Sequence, residues 1–237
     1  MLHSHVLRSS SNHLAIAIAL QGAAAEKPIN LPDVAVEDFI VYAKFLYTGL
    51  MFTREPNIAE LTRCLHLYKV ARHLEATDFQ DAIVDALMEN ILEFRALKGQ
   101  CRFTASQIAT IYSMTEEGSS LRRFAQDLCL HSKGPHGFEK NRLKDFLIAF
   151  QLDLLTAAAP FITSSAKSTD MQDPLDLDKS CRYHEHTTVG VPCYKIRYQF
   201  MPDDPIFVTA NVSAEHFPVA ARQETERPAS ADFELRV

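Results

Sequence analysis

"FIVYAKFLYTGLMF", residues 39–52, sets Phe39, Tyr42, Ala43 and Leu46 at i, i+3, i+4 and i+7, the spacing of one face of an α-helix. The helix is expected from about Val36. Gly49 ends it, because glycine takes the left-handed conformation without a Cβ clash. Phe39, Tyr42 and Leu46 are read as core. Phe45, Leu50 and Met51 fall off that stripe and are candidate partner-facing residues. Upstream, Ile29-Asn30-Leu31 alternates apolar and polar and meets Pro32-Asp33, a short strand closed by a turn.

Further helices follow. Asn57-Ile58-Ala59-Glu60, Thr77-Asp78-Phe79-Gln80 and Thr104-Ala105-Ser106-Gln107 have the form of capping boxes. Behind them run apolar stripes: Leu61, Leu65 and Tyr68; Phe79, Ile83, Ala86, Leu87 and Ile91; Ile108, Ile111 and Tyr112. Ser119 or Ser120 caps a helix with Leu121, Phe124, Ala125 and Leu128 inward. A last helix is expected from about Lys140 through Leu143, Leu147, Phe150 and Leu154, with Pro160 ending it. Each cap contributes about 1 kcal/mol and fixes where a helix begins. Burial of apolar side chains, roughly 1.5–3 kcal/mol for each large one, drives the folding.

The 237 residues are 47% hydrophobic and 23% charged, the balance of a globular chain with a real core. The net charge of −6 leaves no stretch basic enough to hold a phosphate backbone, so nucleic acid is not an expected partner. Cys64, Cys101, Cys129, Cys181 and Cys193 are odd in number, which fits a reducing compartment and an intracellular location. Leu14–Leu20 imitates a signal peptide, but seven apolar residues after a single Arg8 make a weak one. The same run falls well short of the roughly 20 residues a membrane span needs.

"TSSAKSTDMQDPLDLDKS", residues 163–180, is polar with one proline and no aromatic residue, a linker by composition. Beyond it "CYKIRYQF" alternates strictly, with Tyr194, Ile196, Tyr198 and Phe200 on one face, as a short strand would. The end of the chain is polar and expected to be flexible.

The sequence holds no glycine-rich phosphate loop and no nucleophile elbow. His3, His5 and His13 near Ser9–Ser11 read as hydrogen bonding at a helix start. Glu116-Glu117 reads as a solvated loop pair. Arg122 and Arg123 sit in the first turn of a helix, where positive charge is unfavourable, and Asp127 at i+4 is the expected partner of Arg123. One cluster has metal-ligand chemistry: Cys181-x2-His184-x-His186-x6-Cys193. Two thiolates and two imidazoles are a zinc set, and on an extended strand both histidines project to one side. The spacing is not that of a standard zinc finger, and the segment also reads as a plain polar strand.

"FIVYAKFLYTG" resembles the central helix of BTB/POZ domains, an aromatic-led helix that ends in a Leu-Tyr-Thr-Gly-like phrase. Three further pieces are similar in the same order. Leu2–Ser11 resembles the family's approach to its first conserved helix, "KPINLPD" its strand before the central helix, and "LHLYKVARHLEATDFQDAIVDAL" its closing helical pair. "IYSMTEEGSSLRRFAQDLCL" and "CRYHEH" are similar, more loosely, to downstream segments of fungal BTB-domain proteins. The resemblance begins almost at Met1, so the family's opening strands, part of its dimer interface, have no counterpart here. Its acidic cullin-binding element finds only Ala24-Ala25-Glu26, which leaves a cullin scaffold unsupported.

The sequence therefore predicts a mainly α fold, α+β with a small residual sheet. Residues 1–98 form a BTB/POZ-like domain lacking its first strands, 99–160 a helical extension, 161–180 a linker, and 181–237 a mostly flexible tail with a short strand. The expected function is protein–protein interaction, as adaptor or oligomerisation module, without catalysis or cofactor. The partner is another protein chain, a second copy of itself included, and neither nucleic acid nor membrane. The alternative is a zinc-binding protein or small enzyme using Cys181, His184, His186 and Cys193.

Overall fold

A computed structural model of the chain describes residues 3–21, 29–53, 58–98, 103–133, 144–163, 172–199, 207–209 and 234–235. The fold is mainly helical, as predicted. Two short helices come first, α1 (Ser4–Ser10) and α2 (Asn12–Gln21). Strand β1 (Ile29–Asn30) leads into α3 (Val36–Thr48), and β2 (Met51–Thr53) follows it. The long pair α4 (Ile58–His73) and α5 (Thr77–Lys98) comes next. After it come α6 (Ala105–Met114), α7 (Ser120–Lys133) and α8 (Ile148–Thr163). The 3-10 segment Leu177–Tyr183 leads to two short helices, α9 (His186–Val189) and α10 (Tyr194–Tyr198). Two more strands, β3 (Phe207–Thr209) and β4 (Glu234–Leu235), complete the described elements: β1 pairs antiparallel with β4, and β2 parallel with β3.

Helix α5 is the centre of the core, with every position from Asp81 to Ile91 buried. A helix covered on all sides must be packed by several elements. Helix α4 lies along it, and α3 closes over its start. Phe45 and Tyr42 meet the Phe79 ring at 5.1 and 5.0 Å between centroids.

Gly49 takes φ 71 at the end of α3, and its N–H returns to Phe45 O at 2.7 Å. Thr104 makes the predicted capping box: Gln107 N–H donates to its hydroxyl at 3.3 Å, and Thr104 N–H donates to Gln107 Oε1 at 2.9 Å. Ser119 accepts from Arg122 N–H and begins α7. The box proposed at Asn57 lies outside the described residues. At the chain's start Ser11 accepts from Leu14 N–H at 3.1 Å and donates to Leu74 O, so this serine works as a hydrogen-bonding residue at a helix start.

Several expectations are corrected. Phe45 and Met51 are fully buried and Leu50 is half-buried, so Phe45 and Met51 are not partner-facing. The Phe45 ring packs on Phe79 and also on Tyr194 and Tyr198, at 6.0 and 5.6 Å. Leu147 is exposed, and Pro160 lies inside α8, which continues to Thr163. Asp127 accepts from the Tyr183 hydroxyl at 2.8 Å instead of pairing with Arg123. Arg122 turns back to donate to Tyr112 O at 3.0 Å and to Thr115 O, placing its charge at the negative end of α6. "CYKIRYQF" is helical from Tyr194 to Tyr198, and residues 177–198 pack on the core, where the end of a linker to 180 and a mostly flexible tail from 181 were expected.

Among the described residues, no helix is long and apolar enough to cross a membrane.

Candidate metal centre

Helix α5 carries acidic residues at 78, 81, 85, 89 and 93, and Asp81 and Asp85 are fully buried. A buried carboxylate is costly unless it is paired and hydrogen-bonded. Residues 184–197 supply the partners. Asp81 accepts from the backbone N–H groups of Glu185 and His186, at 2.6 and 3.3 Å, and meets His186 Nδ1 at 2.6 Å. Asp85 faces His184 Nε2 at 3.0 Å and Lys195 Nζ at 3.2 Å, and accepts from the Tyr194 hydroxyl at 2.7 Å. Asp78 pairs with Arg197 at 2.5 Å.

Other helices hold the same stretch. Glu185 accepts from the Tyr68 hydroxyl of α4 and from Ser120 N–H of α7, both at 3.2 Å. The Ser120 hydroxyl donates to His184 O at 3.3 Å. Gly190, at φ 73, turns the chain after α9 and brings Cys193 back toward Cys181.

This folding gathers all four cluster residues. One ligand atom from each of Cys181, His184, His186 and Cys193 lies within 4.8 Å of every other. The two sulfurs are 3.9 Å apart, and Cys193 Sγ is 3.9 Å from His184 Nδ1. A zinc tetrahedron with bonds of about 2.3 Å to sulfur and about 2.0–2.1 Å to nitrogen has edges of roughly 3.8 Å between sulfurs, about 3.6 Å from sulfur to nitrogen and about 3.3 Å between nitrogens. The sulfur–sulfur and sulfur–nitrogen spacings, both 3.9 Å, match their edges to within a few tenths of an ångström, and the other pairs lie within 4.8 Å.

The ring nitrogens divide their roles. His184 turns Nε2 to Asp85 and leaves Nδ1 toward the sulfurs; His186 turns Nδ1 to Asp81 and leaves Nε2 for the centre. A carboxylate on the far nitrogen of a metal-binding histidine fixes its tautomer and raises its basicity. His186 has that support as a hydrogen bond to Asp81, and His184 as an ion-pair contact with Asp85, both from the same face of α5.

The electrostatics follow. Burial pulls His184 down, but the Asp85 carboxylate outweighs it and holds the imidazole up, at about 10. The hydrogen bond to Asp81 likewise raises His186. The contact with Cys193, and then His184, hold Cys181 down at about 4, while the same sulfur–sulfur contact pushes Cys193 up. In the metal-free cluster these shifts favour the proton on each imidazole and the thiolate form of Cys181. A divalent cation would displace those protons, and with two thiolates and two neutral imidazoles the centre would be neutral overall.

The sequence pattern grouped these four residues as an alternative zinc set, on an extended strand, beside a preferred reading without a cofactor. In the structure Cys181 lies within the 3-10 segment Leu177–Tyr183 and His186 opens α9. Asp81 and Asp85 were missed as supports; their signal was a pair of carboxylates four residues apart between apolar neighbours. His3 lies elsewhere, bonded to the Tyr47 hydroxyl.

No family model matches the chain, and neither a curated protein nor a solved structure matches it.

Proposed function

We propose that the chain is a non-catalytic protein-interaction scaffold whose segment 181–193 is closed on itself by a structural zinc ion and held to α5 through Asp81 and Asp85. The observation that carries this reading is the convergence of four ligand atoms within 4.8 Å, with both imidazoles backed by buried aspartates. Tetrahedral S2N2 chemistry selects zinc among common divalent ions. Four protein ligands leave no position for water or substrate, which is the pattern of structural and not catalytic sites. The ion's contribution is to folding, and the neighbouring helices are what the clasp holds in place.

The interaction role itself rests on the four ordered BTB/POZ-like phrases of residues 2–92. A metal-stapled helical platform is compatible with that role, since docking needs a rigid surface and no reaction cleft.

Metal analysis of the purified chain tests the clasp. One zinc per chain, lost together in Cys181→Ser and His184→Ala, supports it. A folded chain that takes up no zinc on reconstitution refutes it. Light scattering after size exclusion tests the scaffold role: a strict monomer that captures no protein chain counts against it.

A further inference from the structure

Cys181 and Cys193 are separated by twelve residues in sequence and by 3.9 Å between sulfurs. Cys181 is half-buried and Cys193 is buried. A disulfide requires about 2.05 Å between sulfurs, so an approach of roughly 2 Å would join them. Neither residue lies inside a long helix. Cys181 follows Lys179, whose φ of −112° departs from helical geometry, and Cys193 caps α10 after the turn at Gly190. Cys64, by contrast, is fully buried in the core.

We infer that Cys181 and Cys193 are an oxidation site, and that peroxide converts the zinc clasp into a disulfide clasp with release of the ion. This rests on the zinc reading above. The more accessible Cys181 thiolate attacks one peroxide oxygen. The O–O bond breaks, Cys181 becomes a sulfenic acid, and hydroxide leaves as water after taking a solvent proton. The Cys193 thiolate then attacks the Cys181 sulfur. The S–S bond forms, the S–O bond breaks, and the second hydroxide leaves as water. Two thiolates give up two electrons in total, and one hydrogen peroxide takes up two electrons and two protons to give two waters.

The ion then loses both anionic ligands, because the thiolate is the form that binds metal. Two imidazoles alone do not hold zinc as a closed centre. The contacts of His184 with Asp85 and of His186 with Asp81 involve the nitrogens turned away from the metal, so they survive its departure. The new covalent link spans the same twelve residues that the ion had spanned.

The test uses the full chain with its zinc content measured first. Hydrogen peroxide is added in steps, released zinc is read with a chromogenic chelator, and thiols are mapped by peptide mass spectrometry. Zinc release should rise in parallel with a Cys181–Cys193 linked peptide, one ion per link. Dithiothreitol with added zinc should restore the starting state. In Cys193→Ser, the link should be absent and dimedone should label Cys181. A zinc-loaded chain that keeps its ion under peroxide overturns this inference alone. So does release accompanied by sulfinic acids or links to other cysteines. A chain with no zinc before oxidant overturns the metal reading, and this inference falls with it.

Discussion

Asp85 and His184 face each other 3.0 Å apart with both side chains fully buried. The pair joins the central helix to the C-terminal segment, and Asp81 with His186 repeats it one helical turn earlier. Two such pairs on one helix face aim two imidazoles at one point.

Removing the support while keeping the shape should therefore weaken the metal site before it disturbs the fold. Asp85→Asn and Asp81→Asn are each expected to lower zinc affinity about 10–100-fold, read by competition with a chromogenic chelator. Asp85→Ala should be worse, since truncating one partner of a buried charged pair costs about 3–5 kcal/mol. An unchanged zinc affinity in both Asn variants would remove the supporting role.

Metal removal should act locally. Zinc present at a thousand times its dissociation constant contributes about 4 kcal/mol to stability, so a chelator should lower the melting temperature. Hydrogen exchange should then accelerate most in residues 177–198. Acid works in the same direction, because ligands must lose protons before they bind. Zinc affinity should rise with pH through the neutral range, and zinc uptake at pH 7 should release protons.

Phe45 tests the reassignment of a residue from surface to core. With its side chain fully buried, Phe45→Ala is expected to cost about 3–5 kcal/mol, seen as a lower denaturant midpoint. Half-buried Leu50→Ala should cost less. A near-neutral Phe45→Ala would restore its partner-facing role.

Gly49 tests the end of α3. At φ 71, a β-carbon is disfavoured by about 1–2 kcal/mol. Gly49→Ala should lose about that much stability, and Gly49→Asn less. Equal stability of Gly49→Ala and wild type in denaturant titration would contradict the assigned conformation.

These cases mark what the sequence made legible. The stripe of α3, the glycine after it, the Thr104 box and the Ser119 cap are local features, set by residues three or four apart, and they stand in the structure. The stripe was drawn too narrow, because α3 also buries Val41 and Phe45 against elements far along the chain. The alternation at Tyr194–Tyr198 misled for a related reason: five residues are too few to separate a period of 2 from 3.6. There Tyr194 and Lys195 answer to Asp85, not to a neighbouring strand. The four cluster residues were legible by residue type. Their convergence was not, because it depends on a carboxylate row on α5 about a hundred residues earlier.

X-ray absorption at the zinc edge on the purified chain measures the central claim most directly. Two sulfurs at about 2.3 Å and two nitrogens at about 2.0–2.1 Å, with no oxygen shell, is the predicted result. A first shell containing water or carboxylate oxygen, or one lacking either pair of ligands, would contradict a closed structural clasp.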